Sequence, residues 1–255
     1  MHLIPLPALT DNYIWLLADA IGRAVLVDPG EAAPALNVLR QRSLELVAIL
    51  LTHHHYDHID GTAELRAAFP QAEVIGGYDP RFGDVDRRVA EGDRVEIGAT
   101  DFVFQVIDVP GHTLSHVAFL GHGLLFCGDT LFSAGCGRLF EGTPAQMLAS
   151  LDKLAALPED TKVCCGHEYT LVNLAFAQGI EPDNEAIQRR YDEVRQLRAA
   201  QQPSLPSTMS SERACNPFLR IDEDAVIAAV DGAGQSRHER FAELRRRKDE
   251  FRMPT

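Results

Sequence analysis

The chain has 255 residues, 45% of them hydrophobic and 24% charged, with a net charge of −13. That length suffices for one large domain, or one domain with a smaller companion, around a sizeable core. The charge sets the surface against nucleic acid and anionic membranes, and no apolar run of about 18 residues reads as a membrane span.

The start, MHLIPLPALTDNY, has no basic region followed by an apolar run, so no signal peptide is expected. NYIWLLA (12–18) and RAVLVD (23–28) flank a turn and read as paired strands. LELVAILLT (44–52) is almost wholly apolar, the pattern of a strand buried on both faces. THHHYDH (52–58) begins where that run ends, and GTAELRAAFP (61–70) reads as a short helix stopped by proline. Strands follow at 73–76, 93–98, 102–109, 116–121 and 124–129, with Gly121-His122-Gly123 as a tight turn.

TPAQMLASLDKLAALP (143–158) opens with a threonine cap and a proline at the first helical position, and Met147, Leu148, Leu151 and Leu154 give it one apolar face. TKVCCGHEYT (161–170) is a last short strand running into a loop. The period then changes. Residues 171–200 are predicted helical, 203–217 are rich in Pro and Ser and read as a loop, and helices resume at 222–231 and 236–251. This shift from mixed strand and helix to helix alone marks a domain boundary near 168–172. The five cysteines have no framework spacing, and Cys164 and Cys165 are adjacent, so reduced thiols in a cytoplasmic protein are expected.

Four segments carry chemistry: His53-x-His55-x-Asp57-His58, His112 in PGHTLSH, Asp129 in CGDT and His167 in CGHEY. Each follows a predicted strand, where ligands gather in layered α/β proteins. Imidazole and carboxylate suit zinc, iron or manganese. Alternate residues of an extended segment share a side, so His53 and His55 can hold one ion while His54 points elsewhere. Asp57 and His58 lie further round the loop and can reach a second ion. His112 and His167 can each supply one more ligand, and Asp129 can bridge. Seven ligands on two ions leave room for water, as a catalytic site requires.

THHHYDH with PGHT, GDTLF and GHEYT resembles the metallo-β-lactamase fold superfamily. SAGCGRLFEGT (133–143), GHEYTLVNLAFA (166–177), CNPFLR (215–220) and LRRRKDEFRMP (244–254) narrow the resemblance to the glyoxalase II family, the hydroxyacylglutathione hydrolases, over nearly the whole chain. The resemblance implies an α/β fold: an αββα sandwich over residues 1–168 and an all-helical, glutathione-binding domain over 169–255. It implies two divalent ions, usually zinc, with iron or manganese accommodated. His53, His55 and His112 would bind the first, Asp57, His58 and His167 the second, and Asp129 would bridge them. The implied reaction is hydrolysis of S-D-lactoylglutathione to D-lactate and glutathione, the second step of methylglyoxal removal. A hydroxide bridging the ions would attack the thioester carbonyl, with Asp57 placed to orient it. The leaving thiol has an ordinary pKa of about 8.5, so no dedicated acid is required.

By spacing alone Arg245 and Lys248 share a helix face on which Glu243 and Asp249 balance their charge. The resemblance assigns the pair to the glycine carboxylate of glutathione, and places Arg138 and Tyr169 on two further glutathione contacts. Arg138 stands where some relatives have lysine, Phe140 where some have tyrosine, and Tyr56 where others have tryptophan. His116 reads as a support beside the ligands or a plain strand residue rather than a ligand, Glu168 beside His167 is left without an assigned role, and a monomer is expected. The rival functions on this fold are an iron-dependent persulfide dioxygenase, a phosphodiesterase or nuclease, and a non-catalytic metal module. The full second-ion ligand set opposes the first and third, and the charge of −13 opposes the second.

Overall fold

The computed structural model describes residues 1–98 and 100–253; Pro254, which ends the quoted C-terminal segment, and Thr255 lie outside them. Two compact units form, one from Met1–Asp108 with Ser115–Gly128, the other from Val109–Leu114 with Asp129 onward.

The first unit opens with β1 (His2–Ala8), β2 (Asn12–Ala18) and β3 (Arg23–Val27), an antiparallel run. Helix α1 (Ala33–Gln41) then crosses over to β4 (Glu45–Leu51), which lies parallel to β3. Short helices α2 (Tyr56–Ile59) and α3 (Thr62–Ala68) lead to β5 (Glu73–Gly76) and β6 (Arg87–Arg88), both parallel additions. A second sheet, β7 (Arg94–Glu96), β8 (Val103–Asp108), β9 (Val117–Gly121) and β10 (Leu124–Gly128), is an antiparallel meander.

The two-residue period of β2 explains how its sheet is buried on both sides. Ile14, Leu16 and Ala18 join Leu36 and Leu39 of α1 and Leu65 of α3 in one apolar cluster. Trp15 points the other way, with its ring centroid 6.5 Å from that of Phe126 on β10. Every residue of β2 is buried, as is most of β4, in agreement with the apolar run at 44–52.

The second unit contains the hairpin β11 (Leu131–Phe132) and β12 (Gly135–Cys136), helix α4 (Pro144–Ala155) and β13 (Lys162–Cys165). Thr143 and Gln146 form a reciprocal capping box at the start of α4, as the threonine-proline signal predicts. Helices α5 (Thr170–Ile180) and α6 (Glu185–Ala199) replace the single predicted stretch, since Pro182 and the Asn184 cap divide it. The predicted loop at 203–217 instead holds β14 (Ser207–Thr208), paired with β13, and α7 (Met209–Cys215). The Thr208 hydroxyl accepts from the Ser211 N–H to start that helix. Helices α8 (Asp224–Ala229) and α9 (Arg237–Glu250) finish the unit. Leu174, Ala177, Ile187, Val194 and Cys215 share its core with Ala134. Among the described residues no helix is long and apolar enough to cross a membrane.

Candidate functional site

β4 delivers the histidine cluster. The chain stays extended through His55 (φ −64°, ψ 143°), which caps α2. His53 Nε2 lies 3.1 Å from His55 Nδ1, whereas His54 Nδ1 faces Asp79 Oδ2 at 3.5 Å. The first turn of α2 then presents Asp57 and His58, with His58 Nε2 3.6 Å from Asp57 Oδ2.

The hydrogen bonds fix which nitrogens face inward. Buried Asp28 accepts from the Thr52 N–H (2.8 Å) and the Thr52 hydroxyl (2.7 Å), and its Oδ2 lies 3.1 Å from His58 Nδ1. A carboxylate only accepts, so His58 Nδ1 carries the proton and Nε2 offers a lone pair. The Thr52 hydroxyl spends its proton on Asp28 and therefore accepts from His53 Nδ1 at 3.1 Å, which leaves the His53 Nε2 lone pair facing His55. Donor atoms of Asp28, His53 and His58 lie within 4.8 Å of one another. Asn12 Nδ2 donates to Asp57 Oδ2 and to the Asp57 carbonyl, both at 3.1 Å. His116 is buried and stacks on His53, rings 4.6 Å apart and 13° from parallel.

The second unit gathers the other three expected ligands. His112 Nε2 and His167 Nε2 lie 3.4 Å and 3.3 Å from the same oxygen, Asp129 Oδ2, and all three residues are buried. His112 Nδ1 donates to the Arg138 carbonyl at 2.9 Å, so its Nε2 turns a lone pair toward the carboxylate. His167 stacks nearly flat on Tyr169, 4.7 Å away. Imidazole lone pairs converging on buried carboxylate are held together by protons or by a cation. The donor set is that of divalent transition metals, and the residues present fit such ions.

The four expected substrate contacts differ in setting. Arg138 is largely exposed and sits 3.5 Å from Asp249 Oδ1. Arg245 is only 6% exposed. Its Nη1 donates to the Cys136 carbonyl at 2.7 Å, its Nη2 to Asp249 Oδ1 at 3.0 Å, and its guanidinium lies over the Phe218 ring. The Lys248 ammonium lies 5.7 Å and 5.6 Å from the centroids of the Phe176 and Phe251 rings, which pack edge to face beside it. Burial, reinforced by the nearby Arg245 charge, lowers its pKa to about 8. Arg138, Phe140 and Arg245 line one cleft of about 510 Å³ together with Asp249 and Arg252. Tyr169 and Lys248 lie outside that lining.

Three residues at the histidine cluster escaped the sequence reading: Asn12, Asp28 and Asp79. Asp28 carried a signal, since a carboxylate directly after an apolar strand and before Pro-Gly stands where such proteins place functional groups. Its φ of +52° turns the chain there.

Residues 9–167 match the family model for the metallo-β-lactamase superfamily, and residues 168–251 match that for the hydroxyacylglutathione hydrolase C-terminus. A hydroxyacylglutathione hydrolase of Xanthomonas campestris pv. campestris (strain B100) is 53% identical over 256 residues, covering 99% of this chain and 100% of the relative. The crystal structure of ETHE1 from Myxococcus xanthus is similar with a TM-score of 0.67 and 26% identity, over 100% of this chain and 92% of that one. The structure of TTHA1623 in a di-iron-bound form is similar with a TM-score of 0.61 and 27% identity, over 86% and 100%. This chain therefore belongs to the hydroxyacylglutathione hydrolases of the metallo-β-lactamase superfamily.

Proposed function

We propose that the chain hydrolyses S-D-lactoylglutathione to D-lactate and glutathione at a binuclear site. His53, His55 and His112 would hold one divalent ion, Asp57, His58 and His167 the other, and Asp129 both. The observation that carries this reading is the inward orientation of the His53, His58 and His112 Nε2 atoms, each fixed by a hydrogen bond on its Nδ1. Zinc is the metal we assign, on the nitrogen-rich donor set. Bound there, divalent ions supply Lewis acidity, which polarises a carbonyl and makes water nucleophilic near neutral pH.

The chain's own residues do the rest. Asp57, steadied by Asn12, orients the attacking water. The thiolate of glutathione leaves unaided, because its parent thiol ionises at about 8.5. Residues 169–255 act as the glutathione domain beside a catalytic domain of 1–168, with Arg138, Tyr169, Arg245 and Lys248 receiving the tripeptide. All five cysteines are buried thiols outside any disulfide, which supports a cytoplasmic protein, and the charge of −13 supports a monomer without nucleic-acid or membrane partners.

The test is hydrolysis of S-D-lactoylglutathione by protein of measured metal content, beside Asp57→Asn. Two ions per chain and a loss of about 10²-fold or more in kcat for the variant are expected. One iron per chain with oxygen consumption, or full turnover and full metal content in Asp57→Asn, contradicts the reading.

A further inference from the structure

SAGCGRLFEGT, TLVNLAFA and CNPFLR carry much of the resemblance but supply none of the seven expected ligands. In the second unit they meet. The chain runs from Asp129 through the β11–β12 hairpin to Arg138, whose carbonyl accepts from His112. At the tip, Ala134 has a φ of +54°, in the left-handed region that most residues avoid.

Three buried side chains clasp that tip. The Glu212 carboxylate accepts from the Ala134 N–H at 2.7 Å. Asn216 Nδ2 donates to the carbonyls of Phe132 (3.1 Å) and Gly135 (2.9 Å), and to Glu212 at 3.3 Å. Asn173 Nδ2 donates to the Ser133 carbonyl at 3.0 Å. The three are 1%, 0% and 3% exposed. A Cβ on Gly135 would stand 2.6 Å from Asn173 Nδ2, so the contact needs glycine there. Burial of a carboxylate is costly, and it raises the Glu212 pKa. Nothing in the proposed reaction uses Glu212.

We propose that Glu212, with Asn173 and Asn216, is a positioning set for the metal centre. By fixing the hairpin tip, it fixes the Asp129 carboxylate at one end of the segment and, at the other, the Arg138 carbonyl that orients His112. The proposal rests on the reading of Asp129 and His112 as metal ligands.

Zinc affinity by chelator competition, with kcat and KM for lactoylglutathione, separates this role from simple support of the fold. Glu212→Ala and Asn173→Ala are expected to weaken zinc binding by about 10–100-fold and to lower kcat, with KM changing less than about 2-fold. Glu212→Gln keeps an oxygen for the Ala134 N–H and is expected to stay near the parent in both. Parental zinc affinity in folded Glu212→Ala and Asn173→Ala overturns the proposal, as does a Gln variant as impaired as the Ala variant. Should Glu212→Ala not fold, Asn173→Ala decides alone, and parental affinity there overturns it. Failure of the parent protein to bind zinc sinks the metal-centre reading itself, a distinct result.

Discussion

Lys248 makes the substrate reading testable by pH. Its ammonium is packed against two phenyl rings and beside Arg245, and its pKa falls to about 8 from burial first and that charge second. A lysine with a depressed pKa is a cation below that value and neutral above it. About 91% of the free enzyme carries the charge at pH 7 and about 9% at pH 9, a ratio of roughly 10. If Lys248 receives the glycine carboxylate as a cation, kcat/KM falls by up to that factor between the two pH values, since kcat/KM reports the free enzyme. KM carries most of the change, because the contact is equally present in ground and transition states. The assay is thiol release from lactoylglutathione from pH 6 to pH 9.5, corrected for uncatalysed thioester hydrolysis. Lys248→Arg is the control, because arginine stays charged throughout. The parent should lose kcat/KM through pH 8 and the arginine variant should not. Identical profiles for the two proteins refute the cation role.

Asp28→Ala removes the acceptor for the Thr52 N–H, the Thr52 hydroxyl and His58 Nδ1 in a buried place. Unsatisfied buried groups cost about 1–3 kcal/mol each, so a loss of roughly 3 kcal/mol or more is expected in urea unfolding, with metal affinity down about 10–100-fold. An unchanged midpoint and unchanged affinity contradict this account of the His58 tautomer. Gly30→Ala is expected to release one ion of two, measured by metal analysis, because its Cβ would stand 1.9 Å from the Asp57 carbonyl oxygen and displace the turn that carries Asp57 and His58. Full metal content in that variant shows that the turn yields without disturbing its ligands.

The apolar strands were legible because their burial is encoded locally: the residues read as strand at 12–18 are those of β2, and the run at 44–52 contains β4. β1 was not, since Pro5 and Pro7 argue against a strand. Among the described residues it is an edge strand beside β2, where proline's missing N–H breaks no ladder on the open side. The helix at 209–215 was hidden by a Pro/Ser-rich composition in which Thr208 is the N-cap and Ser211 the helical residue whose N–H it receives, rather than both being loop residues. At the site, alternation along an extended segment separates His54 from His53 and His55, a local property that a sequence can carry. Asp28 and Asp79 reach the cluster from distant segments, and no spacing rule encodes that.

Arg245 and Lys248 show the limit most directly. Three apart on a helix, they read as twin surface cations, yet α9 places Arg245 at 6% exposure against the Cys136 carbonyl and the Phe218 face. Two contacts hold the guanidinium there: Asp249, one turn on, accepts from Nη2, and the Phe218 face attracts the cation. The same aspartate lies 3.5 Å from Arg138 on the cleft. If the cleft receives a substrate carboxylate as proposed, that carboxylate would compete with Asp249 for both guanidiniums. Lys248 packs on two aromatic rings and forms no carboxylate ion pair among the described residues, which is why the pH profile of that single residue carries the sharper test.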